Sequence, residues 1–134
     1  MLINISTPVK IDKGLGHFNF PDALKRESLH TYIGCQSLFH QANKTASDRA
    51  LLIVCSGSFY LNKTRQMTNN VLAMFQDSKT SKLVQFNRVE KIRVNLPQEV
   101  LQIQIVDIDG NVQNINGLAV VDICGKVSDS LAAL

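Results

Sequence analysis

From Lys91 onward the apolar residues of this chain recur every second position. Ile92, Val94 and Leu96 alternate with Lys91, Arg93 and Asn95, and Leu101, Ile103 and Ile105 alternate with Gln102 and Gln104. Successive side chains of a strand point to opposite faces, so this spacing predicts half-buried β-strands. A helix would return its apolar residues every three or four positions, and that is excluded here. Pro97 cannot donate to a strand ladder and ends the first run. In the second run the apolar parity shifts to Val106 and Ile108, which predicts a bulge near Ile105 or burial of both faces. Asp109-Gly110-Asn111 then predicts a hairpin turn, because glycine accepts the positive φ that a tight turn requires. A second turn at Asn116-Gly117 leads into a last apolar run, 118–124, and this part of the chain reads as consecutive antiparallel strands.

Upstream, residues 2–5, 9–11, 29–39, 50–56 and 82–86 are strand candidates. Gly14, Gly16 and Pro21-Asp22 punctuate the first third, and 40–49 is a polar loop. One segment breaks the pattern: Met67, Val71, Met74 and Phe75 fall at helical spacing, which predicts a short helix over 62–76 with this stripe in the core, capped by Asn62 or Thr64. Asn69 and Asn70 are poor helix formers, so packing would have to hold it. Many short strands with one helix in a connection predict an all-β protein, an antiparallel β-sandwich of jelly-roll type, rather than alternating βαβ units. At 134 residues the chain suits one domain, 1–134, large enough to fold without a disulfide or metal staple.

Composition narrows the class further. No stretch approaches the roughly 20 apolar residues of a membrane-spanning helix. The first 14 residues lack a basic region followed by a long apolar run, so no secretory signal is expected. Cys35, Cys55 and Cys124 are odd in number and each sits in an apolar run, which predicts small buried hydrophobes kept reduced inside the cell. The sequons at Asn4, Asn43 and Asn62 would then go unused. The net charge of +3 conceals an asymmetry: residues 1–98 carry 13 basic and 6 acidic side chains, residues 99–134 carry 1 and 5. Opposite-signed ends allow copies to associate head to tail through complementary potentials.

Catalytic and ligand-binding templates fail on this sequence. Asp107-Ile108-Asp109-Gly110-Asn111 resembles a calcium loop only superficially, with its glycine fourth and no glutamate downstream. His17, His30 and His40 have no cysteine at metal-ligand spacing, and no nucleophile elbow supports a Cys–His hydrolase. Nothing matches a phosphate-binding loop. The expectation is therefore a protein that is not an enzyme and holds no metal, cofactor or small-molecule substrate. Lys79, Lys82, Arg88, Lys91 and Arg93 gather around one predicted strand with Phe86 among them. They form a candidate interface between subunits or, alternatively, the face of a nucleic-acid-binding β-module over 79–93.

Gly57-Ser-Phe-Tyr60 follows the apolar run 50–56 and precedes a segment ending Val71-Leu-Ala-Met-Phe-Gln. That order resembles the strand, Gly-x-Tyr and short helix of small β-rich penton or minor capsid proteins, found in jelly-roll DNA viruses and polinton-like elements. The closing runs 101–111 and 116–123 are similar to the last strands of those proteins. Phe59-Tyr60 stands where a single Tyr is usual, and Gln76 where an Asn often closes the helix. The resemblance implies a structural virion protein that associates with itself and with other capsid proteins.

Overall fold

The computed structural model describes residues 2–19, 28–56, 71–87, 91–94 and 100–127. They form nine strands: β1 (Leu2–Ile11), β2 (Leu15–Asn19), β3 (Ser28–His40), β4 (Ala50–Ser56), β5 (Val71–Gln76), β6 (Lys82–Gln85), β7 (Lys91–Val94), β8 (Val100–Val106) and β9 (Gly117–Val127). All pairings are antiparallel. The first sheet runs β1-β9-β3-β6, with β7 continuing beside β3 along the same edge as β6. The second runs β2-β8-β4-β5.

Period-two residues from both sheets meet in one hydrophobic cluster. Val9, Ile11, Ile33, Cys35, Leu38, Ala119, Val121 and Ile123 enter from the first sheet. Phe18, Leu51, Ile53, Cys55, Leu72, Phe75, Ile103 and Ile105 enter from the second. The antiparallel β-sandwich expected from the alternation is therefore present. At Ile105 the second of the two expectations holds. Pairing between β4 and β8 runs without a shift, and both Ile105 and Val106 are buried. Val106 is on the outward parity, but the turn after it folds back and bridges it to Val112.

The predicted helix is corrected. Residues 71–76 are the edge strand β5, and 62–70 lie outside the described residues. Between Ile53 and Val54 the β4–β5 register shifts, so Leu72 has no partner of its own. An extra residue in one strand turns the next side chain back to the same face. Leu72 and Phe75 are consequently both buried at a spacing of three, which imitates a helical stripe. Met74, assigned to that stripe, is 63% exposed. The candidates at 2–5 and 9–11 merge into one strand through Pro8, which an edge strand tolerates. β2 was hidden by the glycines on either side of Leu15.

Candidate interaction surfaces

Four connections come together at one end of the sandwich: 12–14, 41–49, 77–81 and 107–116. Backbone groups tie them to each other: Gly14 N–H donates to the Ile115 carbonyl (2.8 Å), Gln41 N–H to that of Asn116 (3.0 Å) and Asn43 N–H to that of Ser78 (3.0 Å). In the first connection Lys13 and Gly14 both have positive φ, 52° and 81°, a conformation that suits a two-residue turn and favours glycine. A side chain at Gly14 would also strike the Gln113 carbonyl.

A buried polar hub fastens the two central connections. His40, fully buried at the end of β3, places Nδ1 2.6 Å from the Gln41 carbonyl and Nε2 3.1 Å from Asp77 Oδ1. Both ring nitrogens thus lie within hydrogen-bond distance of an oxygen. The Phe75 ring packs against the imidazole at nearly a right angle (83°), centroid to centroid 5.6 Å. Asp77 also accepts from Asn43 Nδ2 (3.2 Å), Arg49 Nε (3.4 Å) and the Ser78 N–H (2.9 Å). Burial alone would raise the Asp77 carboxyl. The hydrogen bonds from His40, Ser78, Asn43 and Arg49 together outweigh it and hold the group below the usual carboxylate range. The hub's sequence signal was a polar loop, 40–49, placed between two apolar strands, but the partner Asp77 lies 37 residues from His40.

The outer face of the first sheet carries a different feature. Cross-strand pairing sets Lys10 beside Leu118, Leu118 beside Phe39 and Phe39 beside Leu83. This row crosses β1, β9, β3 and β6 next to the loop end, and its three apolar members are 43%, 45% and 59% exposed. A shallow groove lined by Ile11, Phe39, Gln41, Asn116 and Leu118 adjoins it. Further along the same face the next row is mixed, Pro8, Val120, Ser37 and Gln85, and the one after it, Ser6, Asp122 and Gly34, carries no large apolar side chain. Ser6 Oγ donates to Asp122 there at 2.6 Å.

The predicted basic residues distribute along one edge. Lys79 is exposed in the β5–β6 connection, and Lys82 is half-buried opposite His40. Lys91 and Arg93 pair through their backbones with Gly34 and Tyr32. Arg88 lies outside the described residues. Eight positions of β3 separate the partners of Lys82 and Arg93, about 25 Å at strand rise, so the set is drawn out in a line.

The cysteines divide. Cys35 and Cys55 are buried in the core, and burial pushes each thiol up to about 12. Cys124 is half-buried on the outward parity of β9, not in the core. His17 is exposed on β2, with its Nε2 3.1 Å from the Gln102 side chain. Among the described residues, no three His, Cys, Asp or Glu side chains gather as a metal site, and no helix is long and apolar enough to cross a membrane. Asp107 forms a turn: its Oδ1 accepts the N–H groups of Asp109 and Asn111, each at 2.9 Å. Gly110 has φ +90°, as the Asp-Gly signal required. The chain then leaves the second sheet for the first instead of completing a hairpin with β9. Of the acidic segment's described carboxylates, Asp107 and Asp109 stand at the turn after β8 and Asp122 on β9.

No family model matches the sequence, and no curated protein matches it. Among solved structures, two chains are similar to it at a low TM-score. One is the virus-like particle of the giant freshwater prawn Macrobrachium rosenbergii extra small virus, at 10% identity and TM-score 0.32, over 95% of this chain and 81% of that one. The other is a Bacillus endospore appendage described as a disulfide-linked pilus, at 12% identity and TM-score 0.32, over 96% and 88%.

Proposed function

We propose that this chain is a structural protein of a virus particle, a penton-like or minor capsid subunit built on a jelly roll. It acts through contacts with copies of itself and with other capsid proteins, and it carries out no reaction and needs no cofactor. The observation that carries this reading is the row Leu118, Phe39 and Leu83, left open to solvent on an ordered sheet face. Contiguous exposed apolar surface of this kind marks protein contact sites.

The pairing order supports the jelly roll. β1 pairs with β9, β2 with β8, β3 with β6 and β7, and β4 with β5. A single long hairpin, folded at β4–β5 and rolled over twice, would pair its strands in this order, first with last and inward. Two free thiols held in the core fit assembly in a reducing intracellular compartment before the virion is complete.

Sedimentation velocity across a concentration series, with and without the major capsid protein of a candidate particle, tests the reading. Concentration-dependent assembly or capture by that protein is expected. A protein that stays monomeric at the highest concentration and binds no capsid partner would overturn it.

A further inference from the structure

The tip of the β8–β9 connection holds an isoleucine in solvent. Ile108 is 74% exposed, more than any other large hydrophobic side chain described. It does not stand on a loose loop. Asp107 N–H donates to the Asn111 carbonyl and Gly110 N–H to that of Asp107, each at 3.0 Å. The Asp107 carboxylate takes two further backbone N–H groups and Gln113 Nε2 at 3.2 Å. Hydrogen bonds from Asn111 and Asp109 hold that carboxyl below the usual range, so it is an anion at neutral pH. The tip is therefore a rigid apolar knob between two carboxylates, Asp107 and Asp109.

The open row on the first sheet has the opposite character. Its apolar residues, Leu118, Phe39 and Leu83, are bounded on the β1 side by Lys10, which pairs with Leu118 on the same outward face. One chain cannot join the two features. The base of the tip is bonded to the second sheet through Gln113 N–H to the Ile105 carbonyl (2.9 Å) and the Val106–Val112 bridge. The row lies on the outward face of the first sheet, across the core.

We propose that Leu118, Phe39 and Leu83 form a socket for the Asp107-Ile108-Asp109 tip of a second copy of this chain, with Lys10 facing the carboxylate of Asp109. This rests on the structural reading above and names its contact. Knob and socket are different surfaces, so the contact is head to tail and propagates into a ring if the rotation closes, or a filament if it does not.

Two variants test it, Ile108→Asp at the knob and Phe39→Glu at the socket, both at exposed positions and both checked for native circular dichroism. Each alone should weaken self-association by at least about 30-fold, as loss of an interface hot spot does. Mixed in equal amounts, they retain one intact knob and one intact socket, and should form a species of two chains and no larger. A second pair leaves the apolar contact whole. Lys10→Glu and Asp109→Lys should each weaken association about fivefold, and one chain carrying both should regain it. If the unaltered protein assembles and the variants assemble equally well, the socket is wrong and the structural reading stands. If each variant is monomeric and the mixture is too, the contact is not head to tail. If the unaltered protein neither assembles nor binds a capsid partner, both fall.

Discussion

The two outer faces of the sandwich are built on the same alternation and differ in what covers them. On the second sheet, β2 and β8 present His17, Gln102 and Gln104 to solvent, and Gln104 Nε2 donates to Gln102 Oε1 at 3.0 Å. Where that face turns apolar it is covered in part: Val106 lies under the returning turn, Leu52 is half-buried, and only Met74 at the β5 edge of the row is open, at 63%. On the first sheet, the corresponding end carries three neighbouring exposed apolar residues, Leu118, Phe39 and Leu83. Apart from His40 at the loop end, the fully buried inward residues of both sheets are apolar, so the core does not distinguish the faces. The difference lies in the outward parity alone, and for that reason it is read as a difference in partners.

The largest expected effect checks the half of this comparison that should be equal. Ile103 and Ile123 are fully buried, one from each sheet, in the same cluster. Ile→Ala at either position removes methylene groups and leaves a cavity, and should cost about 2–5 kcal/mol in a urea titration. A loss confined to one sheet would show that the two faces do not rest on a common core.

Next in size is the hub beneath the end of the row. Asp77→Ala leaves His40 and Arg49 without their shared acceptor, and removing one partner of a buried pair costs about 3–5 kcal/mol. Arg49 is 38% exposed and can turn to water, so the lower end of that range is expected. The pH dependence has a definite sign. The folded carboxyl of Asp77 is depressed, so its contribution is present above the ordinary carboxylate range and is lost as pH falls through the folded value. Asp77→Asn should flatten this acid limb of the stability profile, measured by the urea midpoint between neutral pH and about pH 3.

Why one face was legible in the sequence and the other was not follows from the chemistry of each. The core side of β8 and β9 was read correctly because a strict period of two has one physical cause. The turn at Gly110 was legible because Asp-Gly names its own φ. At β5, a single unpaired residue changed the spacing from two to three and made a strand look helical. The hub was invisible because its members come from positions 40, 43, 49 and 77, and no local pattern couples them. The row was invisible for a related reason: Lys10, Leu118, Phe39 and Leu83 are neighbours only through strand register. Individually, each is an ordinary outward residue. The predicted basic set, which did follow local spacing, lies along the edge at which that row ends.

A smaller effect is expected from the row itself. Phe39→Thr and Leu83→Thr change exposed strand positions where threonine is well accommodated, and should move stability by no more than about 0.5 kcal/mol. The same changes should reduce concentration-dependent assembly measured by light scattering. Gln102→Leu, made on the opposite face, should leave assembly through the row intact. If it abolished assembly while Phe39→Thr did not, the faces would have been assigned the wrong way round.

The smallest effect comes from the three thiols. Cys35 and Cys55 are fully buried, and their thiols are pushed up to about 12, so almost no thiolate is present or accessible at neutral pH. Cys124 stands on the outward parity of β9, opposite Asn4 and Tyr32. An alkylating reagent applied to the native protein should therefore label one site, identified by mass spectrometry as Cys124, and all three only after unfolding. Six positions of β9 separate Cys124 from Leu118, about 20 Å along the strand. If the contact is confined to the apolar row, Cys124 keeps its labelling rate in the assembled state. Protection of Cys124 on assembly would instead extend the covered area down the length of the first sheet, and the row at Ser6, Asp122 and Gly34 would have to be counted as part of the interface.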